Sequence, residues 1–210
     1  MLPEPFIFID TCSLLDSCWV RSSKSGVEQF SFSKQKEQRF WEQEFKSLAA
    51  IGKVILPKRN YDELKKHAKN TSKPGLARRS EYILKKLEKL IKDGSIEIVG
   101  DANDPFADAI LLSVALKFRT QRHLLFVTQD KALARDLEAI SRFESVNSHY
   151  DLKVRTISAR GEIVRIQLHN NSSTNHSNAS NHASAAIGSP PDKTNGLLAV
   201  EPQAKGWWER

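Results

Sequence analysis

Phe6-Ile7-Phe8-Ile9-Asp10-Thr11-Cys12-Ser13 is the stretch that decides the fold. Four apolar residues without a break, rich in Phe and Ile, read as a short strand buried on both faces. An Asp closes the run. A carboxylate at the exit of a buried strand is costly unless donors or a cation meet it. In open α/β sheets, ligands sit in the crevice beyond the carboxyl ends of the strands. Asp10 therefore marks both a strand end and a candidate site, although a structural acid satisfied by local donors fits the same position.

Working outward, apolar runs and helical stripes alternate along the chain. A polar stretch with Ser22, Ser23, Ser25 and Gly26 follows the first strand. A helix over about 34–50 carries Phe40, Trp41, Phe45, Leu48 and Ala49 at helical spacing. Lys53 to Pro57 reads as a second strand closed by its proline. Helices are expected over 59–70 and from Pro74, which suits a first helical position, to a stop at Gly94. Ile96 to Val99 is a third strand, and a helix starts near Asp104-Pro105 and runs to about 118. Leu124 to Val127 is a fourth strand, leading into a helix over about 130–142. Leu152 to Ile157 is a fifth strand, with 162–168 able to pair with it across Arg160-Gly161. This alternation predicts a three-layer α/β/α fold around a mostly parallel sheet of about five strands.

Composition changes near residue 170. Residues 170–196 are dominated by Asn, Ser, His, Ala and Thr, too polar to build a core. The expected organisation is a domain over 1–169 and a disordered, low-complexity tail over 170–210. Trp207 and Trp208 near the chain end are large aromatics that anchor interfaces well, so a protein partner is expected there, with docking back onto the domain as the alternative.

The chain carries a formal net charge of +7, which favours a polyanionic partner. The excess is concentrated. Residues 53–92 hold thirteen Lys or Arg against four Asp or Glu. Lys65, Lys66, Lys69, Arg78 and Arg79 are the candidate phosphate contacts, and a solvated helix face is the plainer reading of the same charges. Two cysteines, Cys12 and Cys18, have no zinc-ligand spacing and are expected to be reduced. Acidic residues near the N-terminus argue against a secretory signal, and no run is long enough to span a membrane. A cytoplasmic protein is expected.

Four acids occupy comparable places: Asp10 after the first strand, Glu63 after the second, Asp108 after the third and Asp130 after the fourth. A parallel sheet gathers those strand ends at one edge. Carboxylates gathered there repel unless a divalent cation neutralises them, and an all-oxygen set suits Mg²⁺ or Mn²⁺. Asp104 lies four residues before Asp108, on the same side of the helix; it also suits a helix cap. Glu63 also suits a pair with Lys66 or His67, and Asp130 suits an N-cap.

Four segments in order resemble the PIN domain family of metal-dependent nucleases. Ile9-Asp10-Thr11-Cys12-Ser13-Leu14-Leu15 is similar to its opening Asp motif. Leu56-Pro57 with Tyr61-Asp62-Glu63-Leu64 is similar to its second, and Asp108 to Leu116 to its third. Phe126-Val127-Thr128-Gln129-Asp130 is similar to its fourth, with Thr128 as the hydroxyl beside the last acid. The resemblance covers about residues 5–158. Cys12 stands where the family often has a small polar residue, and neither the 22–33 insertion nor the tail is explained by it. It implies hydrolysis of phosphodiester bonds, most often in single-stranded RNA and alternatively DNA, through one or two Mg²⁺ or Mn²⁺ ions held by Asp10, Glu63, Asp108 and Asp130. Two other classes remain. A non-catalytic binding module for RNA or protein is one. A phosphotransfer domain is the other, but a dehalogenase-type phosphatase needs an Asp at the place of Cys12.

Overall fold

The computed structural model describes residues 3–24, 27–101, 107–142 and 149–167. The tail, including Trp207 and Trp208, lies outside them, as does Asp104. Five parallel strands form the sheet expected from the alternation: β1 (Phe6–Ile9), β4 (Lys53–Pro57), β5 (Glu97–Val99), β6 (Leu124–Val127) and β7 (Leu152–Ile157). A sixth, β8 (Ile163–Arg165), pairs antiparallel with β7, the pairing expected of 162–168, and brings the sheet to six strands. The turn between β7 and β8 needs Gly161, whose φ of 89° is left-handed. Strand order is β5-β4-β1-β6-β7-β8.

That order explains where a site can form. β1 pairs with β4 on one side and β6 on the other, all parallel. The chain winds outward first from β4 to β5, then returns across β1 to β6. β1 is thus the switch point of the sheet, and a crevice opens beyond its carboxyl end, beside Asp10.

Helices cover both faces. Successive strand residues point to opposite sides. Ile7 and Ile9 of β1 pack with Val54, Leu56 and Val127 against one helical layer, which includes Leu64, Ile83 and Leu87. Phe8 packs with Ile55, Phe126 and Val154 against Ile110, Leu111, Val114 and Leu137 on the other. The first layer holds α1 (Thr11–Asp16), α4 (Lys58–Ala68), α5 (Pro74–Lys92) and a helical run over 34–51. The second holds α6 (Ala107–Phe118) and α7 (Lys131–Ser141).

Two local features depart from the sequence expectation. The run over 34–51 is one helix in outline, but α2 (Lys34–Gln38) and α3 (Phe45–Ile51) are joined by a π-helical turn, Arg39–Glu44. The Phe45 N–H bonds to the Phe40 carbonyl five residues back, and Phe40, Trp41 and Phe45 are all buried. One extra residue in the turn brings 40 and 45 onto one face. The polar stretch after β1 is not a plain loop. It contains an antiparallel hairpin, β2 (Trp19–Lys24) and β3 (Val27–Phe32), separate from the main sheet. Among the described residues, no helix is long and apolar enough to cross a membrane.

Candidate active site

Asp10 leaves β1 with extended backbone and caps α1, its Oδ1 accepting the Thr11 N–H at 2.7 Å. The residue is only 7% exposed. Burial raises its pKa above the ordinary carboxylate value. Hydrogen bonds from Cys12, Thr11 and Thr128 oppose that rise, and the negative charge of Asp108 adds to it. The Cys12 thiol donates to Oδ2. Its own pKa is pushed up by burial and by the Asp10 charge, so it stays a thiol.

Two further donors hold the carboxylate. The Thr128 hydroxyl donates to Oδ2 at 3.1 Å and accepts the Asp130 N–H at 3.0 Å, linking the first acid to the backbone of the last. The Asn60 amide donates to Oδ1 at 3.1 Å and to the Thr11 hydroxyl at 3.0 Å. Asn60 is fully buried, and among the described residues its Oδ1 has no hydrogen-bond partner. The sequence reading overlooked it. The signal was its spacing: Asn60 and Leu64 share the buried stripe of α4 at i, i+4, and a polar residue on such a stripe requires a partner.

The other three acids come from the elements after β4, β5 and β6. Glu63, on α4, lies 3.5 Å from His67 Nε2. Asp108 sits in the first turn of α6. Loss of water around its carboxyl raises its pKa, and the like charges of Asp130 and Glu63 raise it further. Asp130 does cap α7, but both capping bonds, from Ala132 N and Leu133 N, fall on Oδ1. Its two readings are therefore compatible.

All four acids line one open cavity of about 680 Å³, together with Thr11, Cys12, Leu15, Arg59, Asp62, Lys66 and His67. A second cavity, lined by Asp62, Lys65, Lys66, Lys69 and Asn70, shares Asp62 and Lys66 with it. Lys65, Lys66 and Lys69 thus flank the acids. Arg78 and Arg79 line neither cavity. Arg78 is exposed, and Arg79 turns to Asp16, 3.5 Å away, and to the ring of Phe30.

The donor set suits a hard cation: carboxylates of like sign share a cavity, and the charges that act on Asp108 are negative. Among the described residues, no three Cys, His, Asp or Glu side chains sit close enough to enclose a metal alone. A cation held there would keep several waters, as Mg²⁺ does. In comparisons with known proteins, no protein-family model matches the chain, and no curated protein matches it.

Proposed function

We propose that this protein is a PIN-like, Mg²⁺- or Mn²⁺-dependent nuclease that hydrolyses phosphodiester bonds in single-stranded RNA. One observation carries the reading: Asp10, Glu63, Asp108 and Asp130 arise from four separate strand–helix junctions and line one cavity. Like charges are not gathered around a buried Asp without cost, and a cation offsets that cost. The four acids, with Asp104 as a proposed fifth, would hold the metal partly through waters. When bound, it would supply an acidified water as nucleophile and neutralise charge on the phosphate oxygens.

The protein's own groups divide the remaining work. Asn60, Thr11 and Thr128 fix the Asp10 carboxylate through both oxygens. Preorganisation of this kind keeps a charged group aimed without rearrangement during reaction. Lys65, Lys66 and Lys69 lie beside the acids, where they would hold the phosphate backbone. Such contacts position a strand without reading its sequence. The test is incubation of purified protein with RNA and DNA pools in Mg²⁺, in Mn²⁺ and in excess chelator. Cleavage of RNA only with metal supports the proposal. Cleavage in chelator, or binding without cleavage under every condition, overturns it, the latter in favour of a binding module.

A further inference from the structure

The β2–β3 hairpin carries two aromatic rings that the proposed chemistry does not use. Phe30 and Phe32 stand two residues apart on β3, hence on the same face and about 6.8 Å apart along the strand. They are 36% and 49% exposed. Neither ring is loose. The Arg79 guanidinium lies 3.7 Å from the Phe30 centroid. Phe32 meets Trp19 edge-on at 5.8 Å and Tyr82 at 5.4 Å. Trp19 and Arg21 are the direct cross-strand partners of Phe32 and Phe30, so all four share one face. α5 holds the rings in place through Arg79 and Tyr82 and leaves part of each in water.

Their position relative to the acids is defined by α1. Leu15 lines the acid cavity, Asp16 beside it meets Arg79, and Arg79 covers Phe30. α1 has six residues, so its two ends are roughly 9 Å apart. The rings therefore lie beyond the end of α1 remote from Asp10, farther by the span of the Asp16–Arg79–Phe30 contacts. α5, which backs the rings, and α4 are together strongly basic, while Arg79 itself is paired with Asp16.

We propose that Phe30 and Phe32 form a stacking platform for two unpaired bases of a single-stranded nucleic acid whose phosphates continue toward the acid cavity. The identity of the polymer rests on the nuclease reading above. Rings already held by Arg79, Trp19 and Tyr82 lose little further freedom on binding through the part left in water, and stacking on aromatics tolerates any base. Positive charge alongside complements phosphate. Bases in a duplex are already stacked on each other, so the platform selects unpaired strands.

The test is fluorescence anisotropy in excess chelator, where no metal-dependent cleavage intervenes. The probes are an unstructured RNA of about 12 nucleotides and the corresponding duplex. Phe30→Ala with Phe32→Ala should weaken single-strand binding about thirtyfold or more and leave duplex binding unchanged. Phe30→Trp with Phe32→Trp should retain single-strand binding. The Leu pair, which keeps apolar bulk without a π-face, should lose it. If the Ala pair fails to fold by circular dichroism, the Trp and Leu pairs decide. Equal loss on both probes, no loss, or rescue by Leu as well as Trp overturns the platform. So does sedimentation showing that the rings instead join two copies of the chain. Wild-type cleavage is scored separately. Absent cleavage with an intact stacking pattern removes the nuclease reading alone, and intact cleavage with unaffected binding removes the platform alone.

Discussion

Replacing Asn60 by Ala tests whether the acid cavity is built around a held Asp10. The substitution deletes a hydrogen bond to an ionised carboxylate, worth about 1.5–3 kcal/mol, and one to the Thr11 hydroxyl, worth about 1 kcal/mol. A small cavity adds about 1 kcal/mol. Loss of the unpartnered Asn60 Oδ1 returns about 1–3 kcal/mol. The net expectation is a loss of about 2 kcal/mol, or a urea midpoint lowered by about 1 M. The pH dependence fixes the cause. Asp10 has a raised folded-state pKa, so it is protonated before the ordinary carboxylate value is reached on acidification. The bond to ionised Asp10 counts in full only above the raised value and loses its charge assistance as pH falls through it. The deficit of Asn60→Ala should shrink over that range. Urea titrations in chelator at a series of pH values provide the assay. A deficit below about 0.5 kcal/mol, or one independent of pH, refutes the argument that Asn60 serves the Asp10 charge. Metal-dependent cleavage by this variant should fall roughly 10–100-fold, as for other groups that orient a metal ligand.

Other outcomes follow from the same structure. Asp108 has a raised folded-state pKa, so its ionised form costs stability above that value and none below the unfolded value. Asp108→Asn should therefore raise the melting temperature of the chelated protein at neutral pH, with the gain fading in acid; a lower melting temperature contradicts the crowding of charge. Neutralising Lys65, Lys66 and Lys69 together should flatten the log–log salt dependence of single-stranded RNA binding by about 2; an unchanged slope makes them a solvated face. Gly161→Ala combines a left-handed φ with a Cβ 2.5 Å from the Lys36 carbonyl, and should destabilise by about 1–3 kcal/mol. An unchanged thermal melt contradicts this.

Much of the architecture was legible because it rests on strong local signals. The runs at 6–9, 54–57 and 124–127 are unbroken and apolar, Leu152-Lys153-Val154-Arg155 alternates with period two, and each lies in a strand. Pro74 opens α5 and Gly94, at φ 80°, follows its end. The four acids were legible as a set because each follows a strand, and parallel order alone brings them to one edge. The hairpin was not legible. Arg21, Ser22 and Ser23 give β2 no apolar alternation beyond Trp19 and Val20, and its pairing depends on aromatic contacts with α5 more than 45 residues away. The π-helical turn was hidden because Phe40, Trp41, Phe45 and Leu48 also satisfy an α-helical stripe. Asn60 was masked by Glu63, the more conspicuous acid on the same helix.

The most direct test of the central claim compares wild type with Asp10→Asn on single-stranded RNA in Mg²⁺. Asn is close to isosteric. Its oxygen can keep the Thr11 and Asn60 bonds, and its amide can donate to the Thr128 hydroxyl, so the fold should persist with equal or greater stability in chelator. Cleavage should fall by more than the roughly 10–100-fold cost of losing an orienting group, while RNA binding in chelator is retained. Cleavage by folded Asp10→Asn at the wild-type rate would contradict that claim.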